Sequence, residues 1–303
     1  MAISESVSLR KIRRRKRMSS KDVIFYAVLY VFFLLFIVVT VFPVFRILMY
    51  SLSDYYDENF KEIVLFPRTW SLRGYKQLFF NVAFLRGLSI SVLRVAIGTF
   101  TGVMCSSLLA FILSRKKFIF KKGLAVFWTF TMYAQAGLVP TLLVYKKIYL
   151  HHTFWVYIIP CMVSVLNVMI IRTYMKSIPD SLEEAAQLEG AGYMKIFTSI
   201  IMPLCKPVCA ATALFMAAYQ WNSWFDTLVY NRLDKEYTTI MYELMKMVIN
   251  FPYSITCLNC VPSAFTATMV AAGIVIAVVP FIIIYPFFQN WFVTGLTVGG
   301  IKE

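Results

Sequence analysis

Six segments, residues 23–48, 84–113, 123–145, 153–175, 203–229 and 262–290, are apolar over lengths that soluble elements rarely reach. Crossing about 30 Å of hydrocarbon takes roughly 20 residues of helix. Only helices or closed barrels satisfy their backbone in lipid, and these runs are too long and uniform for barrel strands. The expected fold is therefore an all-α membrane protein of six spans. Composition agrees: of the 303 residues, 60% are hydrophobic and 15% charged. Soluble domains carry about 45–50% and about 25%.

The net charge of +15 is explained first by topology, because Lys and Arg stay on the cytoplasmic side. The chain opens with RKIRRRKRMSSK at 10–21 and runs straight into an apolar segment longer than a signal-peptide core. This reads as an uncleaved first span with a cytoplasmic N-terminus. Segments 1–22, 114–122, 176–202 and 291–303 then lie inside and hold seventeen Lys and Arg, with Lys206 counted at an edge; segments 50–83, 146–152 and 230–261 lie outside and hold nine. Lys146 and Lys147 run against the bias. No basic surface with interleaved aromatics lies outside the spans, so nucleic acid is set aside as a partner.

Arg46, Arg86, Arg94 and Arg172 fall within or near the ends of spans and are expected to snorkel to the interface. No Asp or Glu sits in the middle of a span, which argues against a proton- or sodium-coupled carrier. Gly98, Gly102, Ser106, Ser107 and Ala110 give the second span a small-residue packing face, with packing inside the bundle as the expected use. Cys105, Cys161, Cys205 and Cys209 read as small buried residues. Cys257 and Cys260 form a CxxC in an outer segment; a zinc site lacks further ligands nearby, and a disulfide and two free thiols both remain open.

Between the fourth and fifth spans, SLEEAAQLEGAGYMKIFTSIIMPLCKP covers 181–207. Ser181 and Glu184 fit a capping box. Gly190 permits a left-handed cap, a second helix begins near Tyr193, and Pro203 and Pro207 mark the start of the next span. An amphipathic loop of purely structural use would share this periodicity. The spacing of Glu184-Ala185-Ala186, Gly190, Ile200 and Met202-Pro203 resembles the EAA loop of ABC-importer permeases, with Met202 where Leu is usual and Glu189 where Asp is usual. WNSWF at 221–225, FPRTWSLRGYKQLF at 66–79 and PFFQNWFVTGLTVGGIKE at 286–303 resemble the maltose-type carbohydrate permeases. VVPFIIIYPFFQ within the last span looks closest to the branch that imports complex oligosaccharides, uronate-containing glycans among them.

The resemblance implies a type I ABC importer permease fold. It consists of a basic segment 1–22, a six-helix domain 23–290 and a cytoplasmic tail 291–303, in a bacterial plasma membrane with both termini cytoplasmic. It implies that the loop at about 180–202 is a coupling helix docking on an ATPase subunit, with Glu184, Ala185, Ala186, Glu189, Gly190, Ala191, Ile200 and Pro203 as the coupling residues. It implies as partners a second homologous permease in a heterodimer, two ATP-binding cassette subunits, an extracytoplasmic solute-binding protein met by the loop at about 230–261, and surrounding lipid. The chain has no G-x-x-x-x-G-K-[ST], so no cofactor is expected in it; ATP and Mg would bind the partner ATPase, and the chain is not expected to be an enzyme. Aromatic faces with amides and hydroxyls bind sugars, which makes Tyr133, Gln135, Asn167, Tyr219, Trp221, Asn222 and Trp224 candidates for the substrate pathway, each with packing as its competing role. Alternatives are a non-sugar cargo such as a peptide, or a stand-alone carrier.

Overall fold

The computed structural model describes residues 20–54, 66–115, 118–134, 136–256 and 263–297. Gln135, Cys257, Cys260, most of the basic N-terminal segment and the end of the tail lie outside them. Among the described residues the chain is helical, with no strand beyond an isolated bridge between Ser53 and Trp70. The helices are α1 (Ser20–Ser51), α2 (Arg73–Phe80), α3 (Val82–Ser114), α4 (Lys121–Tyr133), α5 (Leu138–Lys147), α6 (Val165–Met175), α7 (Asp180–Leu188), α8 (Tyr193–Ile196), α9 (Met202–Leu204), α10 (Lys206–Asn222), α11 (Phe225–Tyr230), α12 (Ile240–Thr256) and α13 (Ser263–Thr297). Residues 1–46 form one compact unit and 47–303 a second, to which α2 to α13 belong.

Among the described residues, three helices are long and apolar enough to cross a membrane, spanning Val23–Ser51, Val82–Ser114 and Ala267–Phe287. Counting each of two bent pairs as one span brings the number up to five: Phe154–Cys161 with Val165–Met175, bent by 42°, and Tyr193–Leu204 with Lys206–Asn222, bent by 80°. The sixth expected span, 123–145, is not one helix. It is α4 and α5, with Ala134 extended and Gly137 at φ +85° between them. The cause is local: Pro140 cannot donate to residue 136 and its ring would strike that carbonyl. The helix restarts at Leu138 instead, which leaves Pro140 in a first turn where a proline costs little.

α3 organises the second unit. Asn81 caps it, accepting from Ala83 N at 3.0 Å and Phe84 N at 3.2 Å. Its 33 residues span roughly 50 Å. Near its start, Ser91 Oγ accepts from Ile240 N at 2.9 Å. At its other end, the Leu113 carbonyl accepts from Arg172 Nε at 3.2 Å. The 230–240 segment and the 172–183 segment therefore belong to opposite ends of the bundle, which agrees with the charge-based assignment of loops to faces.

The small-residue face of α3 packs inside the chain. Ser106, Ser107 and Ala110 are buried. A Cβ at Gly102 would lie 2.0 Å from Met216 Cε, and one at Gly98 would lie 2.6 Å from Gln220 Nε2. These glycines let α3 and α10 approach as close as helices in lipid require. The two sites differ in tolerance, because Met216 can swing its end away whereas Gln220 is held by other bonds. Gly98→Ala should lower the melting temperature in detergent, at a cost of about 1–3 kcal/mol for overpacking. Gly102→Ala should cost less, and equal losses would contradict this difference in tolerance.

Candidate functional site

Two regions carry the sequence-derived candidates, one at each end of α10. The first begins at α7. Its residues Leu182 to Leu188 are strong helix formers, and Asp180 and Glu183 place negative charge in the first turn. The expected capping box does not form. Pro179 is the N-cap and supplies no side-chain bond, because the extended backbone at Pro179 starts the helix two residues earlier and leaves Ser181 inside it. The C-terminal expectation holds. Gly190 has φ +78°, its N–H donates to the Gln187 carbonyl at 3.0 Å and that of Ala191 to the Ala186 carbonyl at 2.9 Å. This is the paired-bond left-handed cap.

The helix has an inner and an outer face. Ala186 is buried in a cluster with Phe111, Leu113, Met175, Ile196, Phe197 and Ile201. Ala191 and Ile200 pack against the same cluster. Glu184, Ala185, Glu189 and Gly190 are exposed, as is Pro203. Leu188 is 90% exposed, with Tyr193 and Met194 beside it in sequence on the far side of the Gly190 turn. The eight coupling candidates thus divide into a group facing the body of the chain and a group facing away from it.

Glu183, not among the coupling candidates, anchors the inner face. Its carboxylate pairs with Arg115 and accepts from Gln187 Nε2 at 3.1 Å. Arg115 also lies 4.7 Å over the Phe111 ring. Both charged side chains are nearly buried, so this pair counts for more than a surface pair. Glu183→Ala should reduce stability by about 1.5–3 kcal/mol, the range for a hydrogen bond to a charged group. A thermal melt of the purified protein measures it, and no change would mean that the pair does not hold α7 in place.

After α8 the chain widens into a π turn, Phe197–Ile201, and then bends. Pro203 explains the turn, since its ring excludes the normal bond to residue 199. Pro207, in the first turn of α10, ends the bend. A stretch running across one end of the bundle is thereby converted into a span.

The second region lies at the bend between the short 3₁₀ turns Phe154–Tyr157 and Ile159–Cys161 and α6. A cavity of about 340 Å³ opens there, lined by Pro160, Cys161, Ser164, Asn167, Phe215 and Tyr219 among others. Non-helical backbone at membrane depth is stable where protein or a water-filled cavity covers it, and this cavity has that form. It brings together two of the seven pathway candidates, Asn167 and Tyr219. Gln135 lies outside the described residues, and the other four lie elsewhere. Trp221 is buried, donates from Nε1 to the Ala277 carbonyl at 3.0 Å and meets Phe281 edge-on, so it packs α10 on α13. Asn222 donates to the Ala218 carbonyl at 2.9 Å. Trp224 stacks edge-on with Phe225. Tyr133 is exposed at the end of α4.

Beyond this cavity sits a buried charge network. Arg94 does not snorkel: it is fully buried. Its Nε donates to Gln220 Oε1 at 2.6 Å, one terminal nitrogen donates to Asp226 Oδ1 at 3.2 Å, and the other pairs with Asp226 Oδ2. The guanidinium also lies 4.5 Å over the Tyr157 ring. Gln220 Nε2 donates to the Tyr157 carbonyl at 3.2 Å, and the Tyr157 hydroxyl to the Tyr237 carbonyl at 2.7 Å. A charge in the apolar interior persists only when its donors are answered, and Asp226, just beyond the end of α10, answers this one. An Arg and an Asp in two different apolar segments were the available sequence signal.

No family model matches the chain. It is 30% identical over 285 residues to the polygalacturonan/rhamnogalacturonan transport system permease protein YtcP of Bacillus subtilis (strain 168), covering 93% of this chain and 99% of the relative. It is 30% identical over 268 residues to Protein LplC of the same organism, covering 87% and 90%. A crystal structure of a bacterial ABC transporter involved in the import of the acidic polysaccharide alginate superimposes with a TM-score of 0.83 at 25% identity, over 91% of this chain and 99% of that one. With matches along nearly its whole length and apolar helices of membrane-crossing length, the chain belongs to the family of permease proteins of carbohydrate ABC transport systems.

Proposed function

We propose that the protein is the pore-forming subunit of a binding-protein-dependent importer, supplying half of the pathway for an oligosaccharide. In this reading 123–145 crosses as the broken pair α4–α5, giving six crossings with both termini cytoplasmic. α7 and α8 form the coupling element. Glu184, Ala185, Leu188, Glu189 and Gly190 meet an ATPase subunit, while Ala186, Ala191 and Ile200 pass its movement to the helices beneath. ATP and Mg bind that subunit. A second homologous permease completes the pathway, and the 230–261 segment meets the extracytoplasmic binding protein. Asn167 and Tyr219 offer an amide and an aromatic face to the cargo.

The observation that carries this reading is the two-faced α7. Its inner face is fixed by Ala186 and Glu183, and its outer face presents Leu188 at 90% exposure beside acidic residues. That outer face is the surface a docking subunit would meet. The carbohydrate cargo is supported by a relative and a structural neighbour whose names refer to polygalacturonan/rhamnogalacturonan and to alginate. Extraction in mild detergent followed by mass spectrometry tests the assembly. An ATPase, a second permease and a sugar-binding protein are expected to accompany the chain. A chain that purifies alone and still transports would overturn the reading.

A further inference from the structure

Lys146 and Lys147 stand where the charge rule expects few cations, and α5 ends on them. Between that helix end and the end of α11 lies a half-open cleft of about 750 Å³, within the ~300–1,000 Å³ of typical ligand sites. Lys146, His151, His152 and Arg232 line it with the rings of Tyr149 and Tyr230. Asp234 Oδ2 sits 2.7 Å from His152 Nδ1. Lys146 and Arg232 make no ion pair among the described residues. The local field is therefore positive. Burial first, then His152 and Lys146, push the His151 pKa below the usual histidine value, with Asp234 opposing them.

Tyr149 is the left-handed residue of the cap on α5, its N–H donating to the Lys146 carbonyl at 3.2 Å. Tyr149 and His152 have φ of +56° and +62°, which costs non-glycine residues roughly 1–3 kcal/mol each. Bonds from Leu150 N and His151 N to the Tyr145 carbonyl, at 2.9 and 3.3 Å, hold the turn. Leu150 is buried while Tyr149 stands 89% exposed. Tyr149 thus stands clear of the body beside cations that no carboxylate of the described chain pairs. An apolar ring face can stack on a pyranose, and Lys and Arg bind carboxylates through charge-assisted bonds. Those two demands meet in a sugar acid.

We propose that this cleft is a recognition site for the carboxylate of a uronate unit, engaged by an acidic oligosaccharide before it reaches the pore. The proposal rests on the carbohydrate-importer reading above and deepens it.

The test uses the full chain with its co-purified partners in nanodiscs, titrated calorimetrically with a galacturonate trimer, the methyl ester of that trimer, and maltotriose. The acid should bind at least about tenfold more tightly than its ester, the effect of one charge-assisted bond. The double variant Lys146→Gln/Arg232→Gln should bring the acid down to the ester's affinity. Its melting temperature should match the parent's, since neither side chain is ion-paired among the described residues. Equal binding of acid and ester by the parent, or acid binding unchanged in the variant, overturns the proposal. Binding and uptake of maltotriose without discrimination of the acid overturns it while leaving the carbohydrate reading intact. Binding of no sugar by the parent overturns both. If the variant weakens docking of the sugar-free binding protein and leaves acid affinity untouched, the carboxylate belongs to that protein and the proposal fails.

Discussion

Gly190→Trp is expected to leave the chain folded and inserted while lowering ATP-driven transport by about 100-fold or more, equivalent to ~2.7 kcal/mol. The glycine serves its own chain in one way and a partner in another. Within the chain, nothing lies within 4 Å of a Cβ built at Gly190, so a side chain meets no clash. The intramolecular cost is the left-handed backbone at φ +78°, roughly 1–2 kcal/mol for an L-residue. Gly190→Asn carries a smaller backbone penalty, since Asn tolerates that conformation. If the turn approaches an ATPase subunit closely, the bulky indole blocks docking, whereas Asn only partly intrudes. ATP hydrolysis and uptake measured together in vesicles should fall apart in the Trp variant and stay linked in the Asn variant. Transport by Gly190→Trp at the parent's rate would sink the coupling assignment. Loss in both variants alongside a large drop in melting temperature would assign Gly190 a purely structural role.

The turn at Gly190 was readable from the sequence because its causes are local. A glycine after a run of helix formers ends a helix within one turn, and the hydrogen bonds at Gly190 and Ala191 are those such an ending requires. The long apolar segments were readable for the same reason, as hydropathy over twenty residues needs no knowledge of neighbours. What escaped depended on small displacements or on distant partners. The capping box failed by two residues, since Pro179 starts the helix before Ser181 can cap it. The third span read as continuous because its residues are apolar throughout, although Gly137 and Pro140 in that run were sufficient to break it. Ala186 was grouped with Ala185 as docking surface, but periodicity alone does not say which face of a short helix its own chain covers. The role of Glu183 as an anchor is not written locally, because Arg115, its partner, lies 68 residues away. Asn167 and Tyr219 came together only because a bend of 42° opens a cavity between their helices.

Arg94 and Asp226, 132 residues apart, show the same limit at higher stakes and carry the largest stability effect expected in this chain. Removing one partner of a buried pair costs about 3–5 kcal/mol, because the other is left uncompensated. The two removals should not be equal. Arg94 has no solvent contact, while the Asp226 side chain keeps 20% of its exposure. A guanidinium cannot give up its charge, whereas a carboxylate can take a proton or turn toward water. Asp226→Leu should therefore lower the melting temperature more than Arg94→Met. The combination Arg94→Met/Asp226→Leu should recover much of the loss, since apolar residues can replace a buried pair at little cost. Size-exclusion profiles of heated, fluorescently tagged protein give all four values of the cycle. Additive losses would show that the pair is not a unit. Transport should not return with stability in the double variant. Arg94 also holds Gln220 on α10 and, at 3.4 Å, the Ser223 carbonyl where that helix ends. Gln220, next to Tyr219 on α10, in turn holds the Tyr157 carbonyl, in the segment that leads to Cys161; Cys161 and Tyr219 both line the cavity wall. Methionine and leucine can fill the space, but they cannot fix the end of α10 against that wall.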